Sequence, residues 1–496
     1  MAILVGLLLG CTPAPPSLPV GDPARPDIIL ISIDSLRKDH VGAYGYARDT
    51  TPNLDALAAR GQRFDDARTP SPWTLPSHLT MLTGKWPTEH LVVDDVYALS
   101  PSVPMVQERL SAAGWATAGL TSTVYVSRLF GFSRGFSLWD DGNITERSNL
   151  DHPVHTADSV EKALGWVKGL PPGQPAFLFL HTYDAHYPYL PPAPYNRKYD
   201  PARSAKEVRY RTYAWYKANP LTPEALQLQT DQYDESIAWL DAELGRLIAA
   251  WTRPVTFIVL ADHGEEFMDH GSWGHAHTLH PEVLDIPLVV AGPGIPPAVR
   301  SERVGTVDIS ATIAALAGIP GLGGDGVDLR GPVPVRPFYA ETSRFKTRRL
   351  SVSEGALRLD LDLTRGSADL YDHVTDPTEH RDLARERPDD VTRLTTSVLR
   401  QLGAPWQWTE GSLWTNGMVV NDGVRVARPE PPLRFMIWPP TAELTTNNGP
   451  RRRTLLTPNA PGQLEYLGER PAIDVTVSED VRGQLEALGY VQGDGE

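Results

Sequence analysis

The sequence predicts an α/β fold with a mostly parallel central sheet flanked by helices, and three observations carry that expectation. Asp27-Ile28-Ile29-Leu30-Ile31-Ser32-Ile33, Phe177-Leu178-Phe179-Leu180 and Val255-Thr256-Phe257-Ile258-Val259-Leu260-Ala261 are continuous apolar runs. Strands covered on both faces of a parallel sheet read this way, whereas half-exposed strands alternate. Each run ends in ionisable residues: Asp34, then His181 with Asp184-Ala185-His186, then Asp262-His263. Open α/β sheets collect their ligands at the carboxyl ends of such strands. Helix-like segments over 53–63, 103–113, 230–250 and 307–317 supply the flanking layers.

The chain's start reads differently. The apolar run Ile3–Gly10 is too short to span a bilayer as a helix and leads into Cys11. Leu8-Leu9-Gly10-Cys11 resembles a bacterial lipoprotein signal, which predicts export and a periplasmic or outer-membrane protein lipidated at Cys11. Prolines 13, 15, 16, 19, 23 and 26 make the following stretch a stiff tether. Cys11 is the sole cysteine, so an intramolecular disulfide and a thiolate metal cluster are both excluded. A net charge of −15 argues against nucleic acid or an anionic membrane surface as partner. The lipid anchor is the only membrane contact expected.

Between the first two strands, Ser71-Pro72-Trp73-Thr74-Leu75-Pro76-Ser77-His78 opens a helix that Gly84 closes. Thr74 and His78 therefore flank a helix N-terminus. Asp262-His263 pairs a hard and a borderline ligand, a combination that suits a divalent cation. His270, His275, His277 and His280 follow within one loop, so half of the 14 histidines lie in two segments beside strand ends.

Taken in order, these segments resemble the sulfatase family of the alkaline phosphatase superfamily, over most of residues 26–390. The landmarks are Ser32–His40, Thr50-Thr51-Pro52-Asn53-Leu54-Asp55, the stretch around Thr74, Asp184–Pro192, Asp262-His263-Gly264-Glu265-Glu266, His270–His275, and Asp369-Leu370-Tyr371-Asp372 before Asp376-Pro377-Thr378-Glu379. The resemblance implies an alkaline phosphatase-like sheet with a small antiparallel C-terminal subdomain. It also implies one divalent metal held by Asp34, Thr74 Oγ, Asp262 and His263, and a small anionic sulfate or phosphate ester, such as one of a carbohydrate, as substrate. Calcium is the family's metal by analogy, whereas an imidazole ligand and Ser35 in place of a second carboxylate favour zinc or manganese. A two-zinc site is the rival, but it needs an Asp at position 182, where Thr stands.

The departure from the family lies at its nucleophile. Most sulfatases read Cys-x-Pro-Ser-Arg there and oxidise the cysteine to formylglycine; this chain has Thr74-Leu75-Pro76-Ser77-His78. A formylglycine hydrate expels sulfate through its second hydroxyl, an exit that a threonine ester lacks. The change tilts the expectation towards phosphate mono- or diesters or phosphonates, as in the superfamily's phosphodiesterase and phosphoglycerol-transferase branches. Sulfated carbohydrate or aryl esters are the alternative, and a non-catalytic, surface-anchored binding protein is the alternative of another class. By the same resemblance, His186 could protonate the leaving group, His275 could replace a lysine on the oxyanion, and His78 could orient or deprotonate Thr74. The family's Gly-Lys-Trp-His element has no counterpart around Gly119–Thr123.

The organisation expected is a signal and tether over 1–25, a catalytic domain over 26–345 and a β-rich subdomain over 346–496. Within the last, 403–475 reads as an insertion and 478–488 as a final helix.

Overall fold

The computed structural model describes residues 25–142, 155–202, 215, 218–219, 221–345, 347–362 and 365–401, with short strands between 408 and 474. The lipoprotein-type segment with Cys11 and the final helix expected over 478–488 lie outside the described residues. The central sheet is built from β1 (Asp27–Ile33), β2 (Gln62–Arg68), β3 (Ala116–Leu120), β4 (Leu138–Asp140), β5 (Ala176–Thr182), β6 (Val255–Ala261), β7 (Leu288–Ala291) and β8 (Ala298–Gly305). Its order is β8-β2-β7-β6-β1-β5-β3-β4. All neighbours are parallel except β7, which runs antiparallel to both β2 and β6.

The three apolar runs are the sheet's centre. β1 lies between β5 and β6, and every residue of β1 and β5 is buried. Helices on both faces deny these strands any solvated side, which is why they carry no polar alternation. Register fixes the functional end of the sheet: Ser32 stands opposite His181 on one side and Leu260 on the other, so the three strands finish level.

The flanking helices are α1 (Pro52–Ala59), α2 (Thr74–Thr83), α3 (Val106–Ala112), α4 (Thr156–Lys168), α5 (Pro223–Ala250) and α6 (Ile309–Ala317). The sequence expectation for α5 begins too late. Thr222 accepts a hydrogen bond from the amide of Ala225 at 3.2 Å, and Pro223 occupies the first turn, so a cap starts the helix before its periodic apolar face begins. No helix among the described residues is long and apolar enough to cross a membrane.

A separate antiparallel sheet follows, in the order β9 (Phe338–Thr342), β10 (Arg349–Glu354), β11 (Leu357–Asp362), β12 (Ser367–Asp372). Val391, Leu394 and Val398 of helix α7 (Pro388–Gln401) pack on Leu350, Val352, Leu359 and Leu361 to give it its own core. The sheet begins at Phe338, ahead of the boundary expected at 345.

Candidate metal centre and active site

Helix α2 delivers Thr74 as its first residue. Trp73 before it is extended, and all ten helical residues are buried. Ser77 Oγ donates to the carbonyl of Asp262 at 2.8 Å, tying the first turn of α2 to the end of β6. His78 lies one turn on, its Nδ1 at 2.8 Å from the Thr74 carbonyl and its Nε2 at 2.9 Å from Ser32 Oγ. A carbonyl only accepts, so Nδ1 carries the proton and the Ser32 hydroxyl donates to Nε2.

Two strand ends supply the carboxylates. The amide of Asp34 donates to Thr182 O at 3.0 Å, extending β1 by one rung. Ser35 then turns in the left-handed region with φ 58°, an arrangement that costs a non-glycine residue about 1–2 kcal/mol. Its surroundings hold it there. Ser35 Oγ donates to Asp34 Oδ1 at 2.8 Å, its amide donates to Asp262 Oδ1 at 3.2 Å, and Tyr233 of α5 donates to its carbonyl at 2.7 Å. After β6, a Cβ on Gly264 would stand 1.9 Å from the Glu282 carbonyl oxygen, so only glycine lets the chain turn there.

The spacing of the polar atoms is the informative geometry. Thr74 Oγ lies 3.5 Å from Asp34 Oδ2 and 3.4 Å from His263 Nε2. His263 Nε2 lies 3.4 Å from Asp262 Oδ2 and 3.6 Å from Asp34 Oδ1. Ligands on a cation with bonds of about 2.0–2.2 Å stand roughly 3–3.6 Å apart, so these contacts have the dimensions of a coordination shell. Asp262 Oδ2 is buried and accepts no hydrogen bond, a lone pair that a cation facing it would satisfy. Asp34, Asp262 and His263 thus fit a divalent cation, with Thr74 beside them.

The electrostatics agree. Burial and the adjacent Asp34 both push the Asp262 carboxyl well above its usual range, so the two carboxylates cannot share this space ionised without a counter-charge. Burial pushes His263 down to about 3, with His275 adding to the effect, and the neutral imidazole that results is the form that ligates metal. His78 falls to about 3, again chiefly by burial.

His186 and His275 face the same space: their rings are 5.1 Å apart, and His275 lies 4.4 Å from the ring of His263. His275 Nδ1 bonds Glu265 Oε1 at 2.9 Å, and His186 Nδ1 bonds the Tyr187 carbonyl at 2.5 Å. His270 and His280 of that loop turn elsewhere. His270 and His280 stack on one another at 3.7 Å, with Tyr371 of β12 near His280. Sequence reasoning named His181 and Glu265 but assigned neither a role, and both are buried beside the site. For His181 a signal existed: it ends an apolar strand, as Asp262-His263 ends another.

With this geometry in view, the comparisons with known proteins are specific. The Sulfatase family model matches residues 26–319. Choline-sulfatase of Rhizobium meliloti is 23% identical over 451 residues, covering 77% of this chain and 86% of that protein. Among solved structures, the phosphonate monoester hydrolase of Agrobacterium radiobacter superposes with a TM-score of 0.62 at 18% identity, over 76% of this chain and 95% of its own. A protein solved with its substrate D-glucosamine-2-N,6-O-disulfate gives a TM-score of 0.62 at 16% identity, over 76% and 98%. The structural neighbours thus act on sulfate and phosphonate esters alike. A family match over more than half the chain, on a sheet whose strand ends converge on an Asp-Asp-His set, identifies this protein as a hydrolase of the sulfatase family.

Proposed function

We propose that the protein hydrolyses phospho-esters, either phosphate mono- or diesters or phosphonates, with Thr74 as nucleophile and one divalent cation held by Asp34, Asp262 and His263. The observation that carries this reading is Thr74 Oγ at 3.4–3.5 Å from both His263 and Asp34, at the buried start of α2. A divalent cation there lowers the pKa of a hydroxyl and draws charge from an anionic ester.

The protein's own residues do the rest. Thr74 Oγ, its proton released to solvent, attacks phosphorus in line as the alkoxide, forming the O–P bond as the P–O bond to the leaving alcohol breaks, and water later cleaves the phosphoryl- or phosphonyl-threonine and restores the hydroxyl. His78 acts on Thr74 through the backbone, since both its nitrogens are engaged, and so it orients the first turn of α2. His275, fixed through Nδ1 by Glu265, presents its other edge to the ester, and His186 is the proton donor to the leaving group. Burial keeps both imidazoles neutral in the free protein, and an arriving anion raises their pKa and favours the donor form. The N-terminus of α2 adds a favourable field for negative charge. A sulfated threonine has no elimination route, which supports phosphorus over sulfur.

Matched aryl phosphate, phosphonate and sulfate esters test this. Thr74→Ala is expected to lose turnover on the order of 10⁶-fold, as nucleophile deletions do. A kcat/KM for sulfate above that for every phospho-ester in the unmodified protein refutes the substrate class and leaves the family standing.

A further inference from the structure

We propose that Tyr183 is a positioning residue for His186, stacking on its ring and bonding its Nε2, and that Nε2 is the atom that hands a proton to the leaving group. The inference rests on the proton-donor role given to His186 above, and it names the atom used and the residue that aims it.

The arrangement starts from a turn. β5 ends at Thr182, and beyond it the amide of His186 donates to the Tyr183 carbonyl at 2.9 Å. Asp184, inside the turn, accepts from the Thr156 amide at 2.7 Å and bonds His155 Nδ1 at 2.9 Å, so the start of α4 holds the turn in place. The turn lays the ring of Tyr183 on the ring of His186, with centroids 4.2 Å and planes 20° apart. His275 stands edge-on to the same imidazole at 5.1 Å. His186 is buried, whereas Tyr183 is only half-buried. The tyrosine therefore covers one face of the imidazole at the open side of the site.

The ring nitrogens have distinct partners. Nδ1 lies 2.5 Å from the Tyr187 carbonyl, which can only accept, so Nδ1 carries the proton of the neutral ring. Nε2 then bears the lone pair, and the Tyr183 hydroxyl, 3.4 Å away, donates to it. That contact is long, and the stacked ring and the turn supply the rest of the hold. A phenol both donates and accepts. It can donate to a bare Nε2 and accept from Nε2–H once the imidazole is charged, so it keeps one ring orientation in both states. In the reaction a proton from solvent joins Nε2 as the anionic ester binds. When the P–O bond to the leaving alcohol breaks, the departing oxygen takes that proton. His186 returns to neutral, and Tyr183 neither gains nor loses a proton.

Leaving-group dependence tests this on the aryl ester class that the wild type turns over. Tyr183→Phe is expected to lower kcat/KM about 10-fold for the phenyl ester, whose departing oxygen needs a proton, and much less for the nitrophenyl ester, which leaves without one. In a His186→Ala background the same substitution should cost nothing further, because a residue that acts only through His186 then has nothing to aim. An equal loss on both esters, no loss on either, or a full additional loss in the His186→Ala background overturns the inference, since a residue that merely supports the fold lowers every rate alike. Nitrogen–proton NMR correlation spectra of the histidine-labelled full-length chain need no turnover. His186 should be protonated at Nδ1, and its Nε2 resonance should move in Tyr183→Phe. A neutral His186 protonated at Nε2, or an Nε2 resonance that stays in place, overturns the inference. If Tyr183→Phe does not fold, the wild-type spectra decide alone, by whether the Tyr183 hydroxyl proton correlates with Nε2. A wild type that turns over no phosphate, phosphonate or sulfate ester refutes the hydrolytic reading and leaves the spectra to decide this one.

Discussion

Two groups of histidines, buried or half-buried, stand in different electrostatic company. Around the strand ends, His78, His263 and His275 are pushed down to about 3, 3 and 4, chiefly by burial. At the seam with the small sheet, His270 moves the other way, because Glu282 at 2.5 Å from its Nδ1 outweighs the burial that opposes it. Its stacking partner His280 is pushed down to about 2 by burial, with the Arg358 guanidinium next in effect. Arg358 is itself buried and paired with Glu379. Burial alone therefore does not make a metal ligand. What separates the groups is whether the adjacent carboxylates already have partners: Glu282 and Glu379 do, whereas Asp262 Oδ2 does not.

The largest test of this contrast is Asp262→Asn. It should abolish bound divalent metal, a greater loss than the roughly 10–100-fold that outer-shell changes cost, and turnover should go with it. Elemental analysis of the purified variant checks this. Full occupancy would place the cation elsewhere.

Acidity is the next lever, and it separates His270 from the site imidazoles by sign. For His78, His263 and His275 the folded pKa lies below the unfolded value of about 6.5, so the unfolded chain binds more protons between that value and about 3–4. Their contribution to stability is complete above about pH 6.5 and is lost as pH falls through that window, at about 1.4 kcal/mol per unit for each. For His270, whose folded pKa is raised, the contribution is present below about pH 6.5 and is lost as pH rises through the folded value. Denaturant unfolding of metal-free protein should thus show the site imidazoles' contribution lost from about pH 6.5 to 4, with His270→Gln lying at lower stability across that window but with the same slope. A flat profile would show that the site imidazoles are not held neutral.

Gly264→Ala probes the joint between the groups, since the turn after His263 abuts the backbone of Glu282. A Cβ there forces the two apart, at about 1–3 kcal/mol by overpacking, and both melting temperature and metal affinity should drop. The smallest effect is expected for His280→Phe, which keeps a ring against His270. Stability should change by about 1 kcal/mol or less, with metal content at the wild-type level. A loss of metal in that variant would join the two groups that the structure separates.

Much of the site was legible in the sequence because strand ends announce themselves. Asp34 and Asp262-His263 each follow a continuous apolar run, and parallel register then brings them together without further information. The loop histidines were not separable in this way. His270, His275 and His280 lie within 11 positions of each other, yet only His275 turns inward, held by Glu265. Which way a loop residue points depends on partners that are distant in sequence, such as Glu379 and Arg358 of the C-terminal part. His181 was legible as an ionisable residue ending its strand, but nothing in the sequence assigned it a role. The start of α5 was missed because a Thr-Pro cap lies ahead of the apolar repeat that periodicity detects.

The burial of α2 along its whole length bears on how such a protein diversifies. Ten successive residues with no solvent-facing side leave almost no substitution that changes reactivity without disturbing packing. Heritable variation in what is accepted as substrate must then accumulate on loops that reach the site from elsewhere, such as those after β3 and β5. On the proposed reading, attack is encoded in the interior and choice at the rim. A directed-evolution library aimed at new esters gains most from randomising those loops and leaving Thr74–Thr83 untouched.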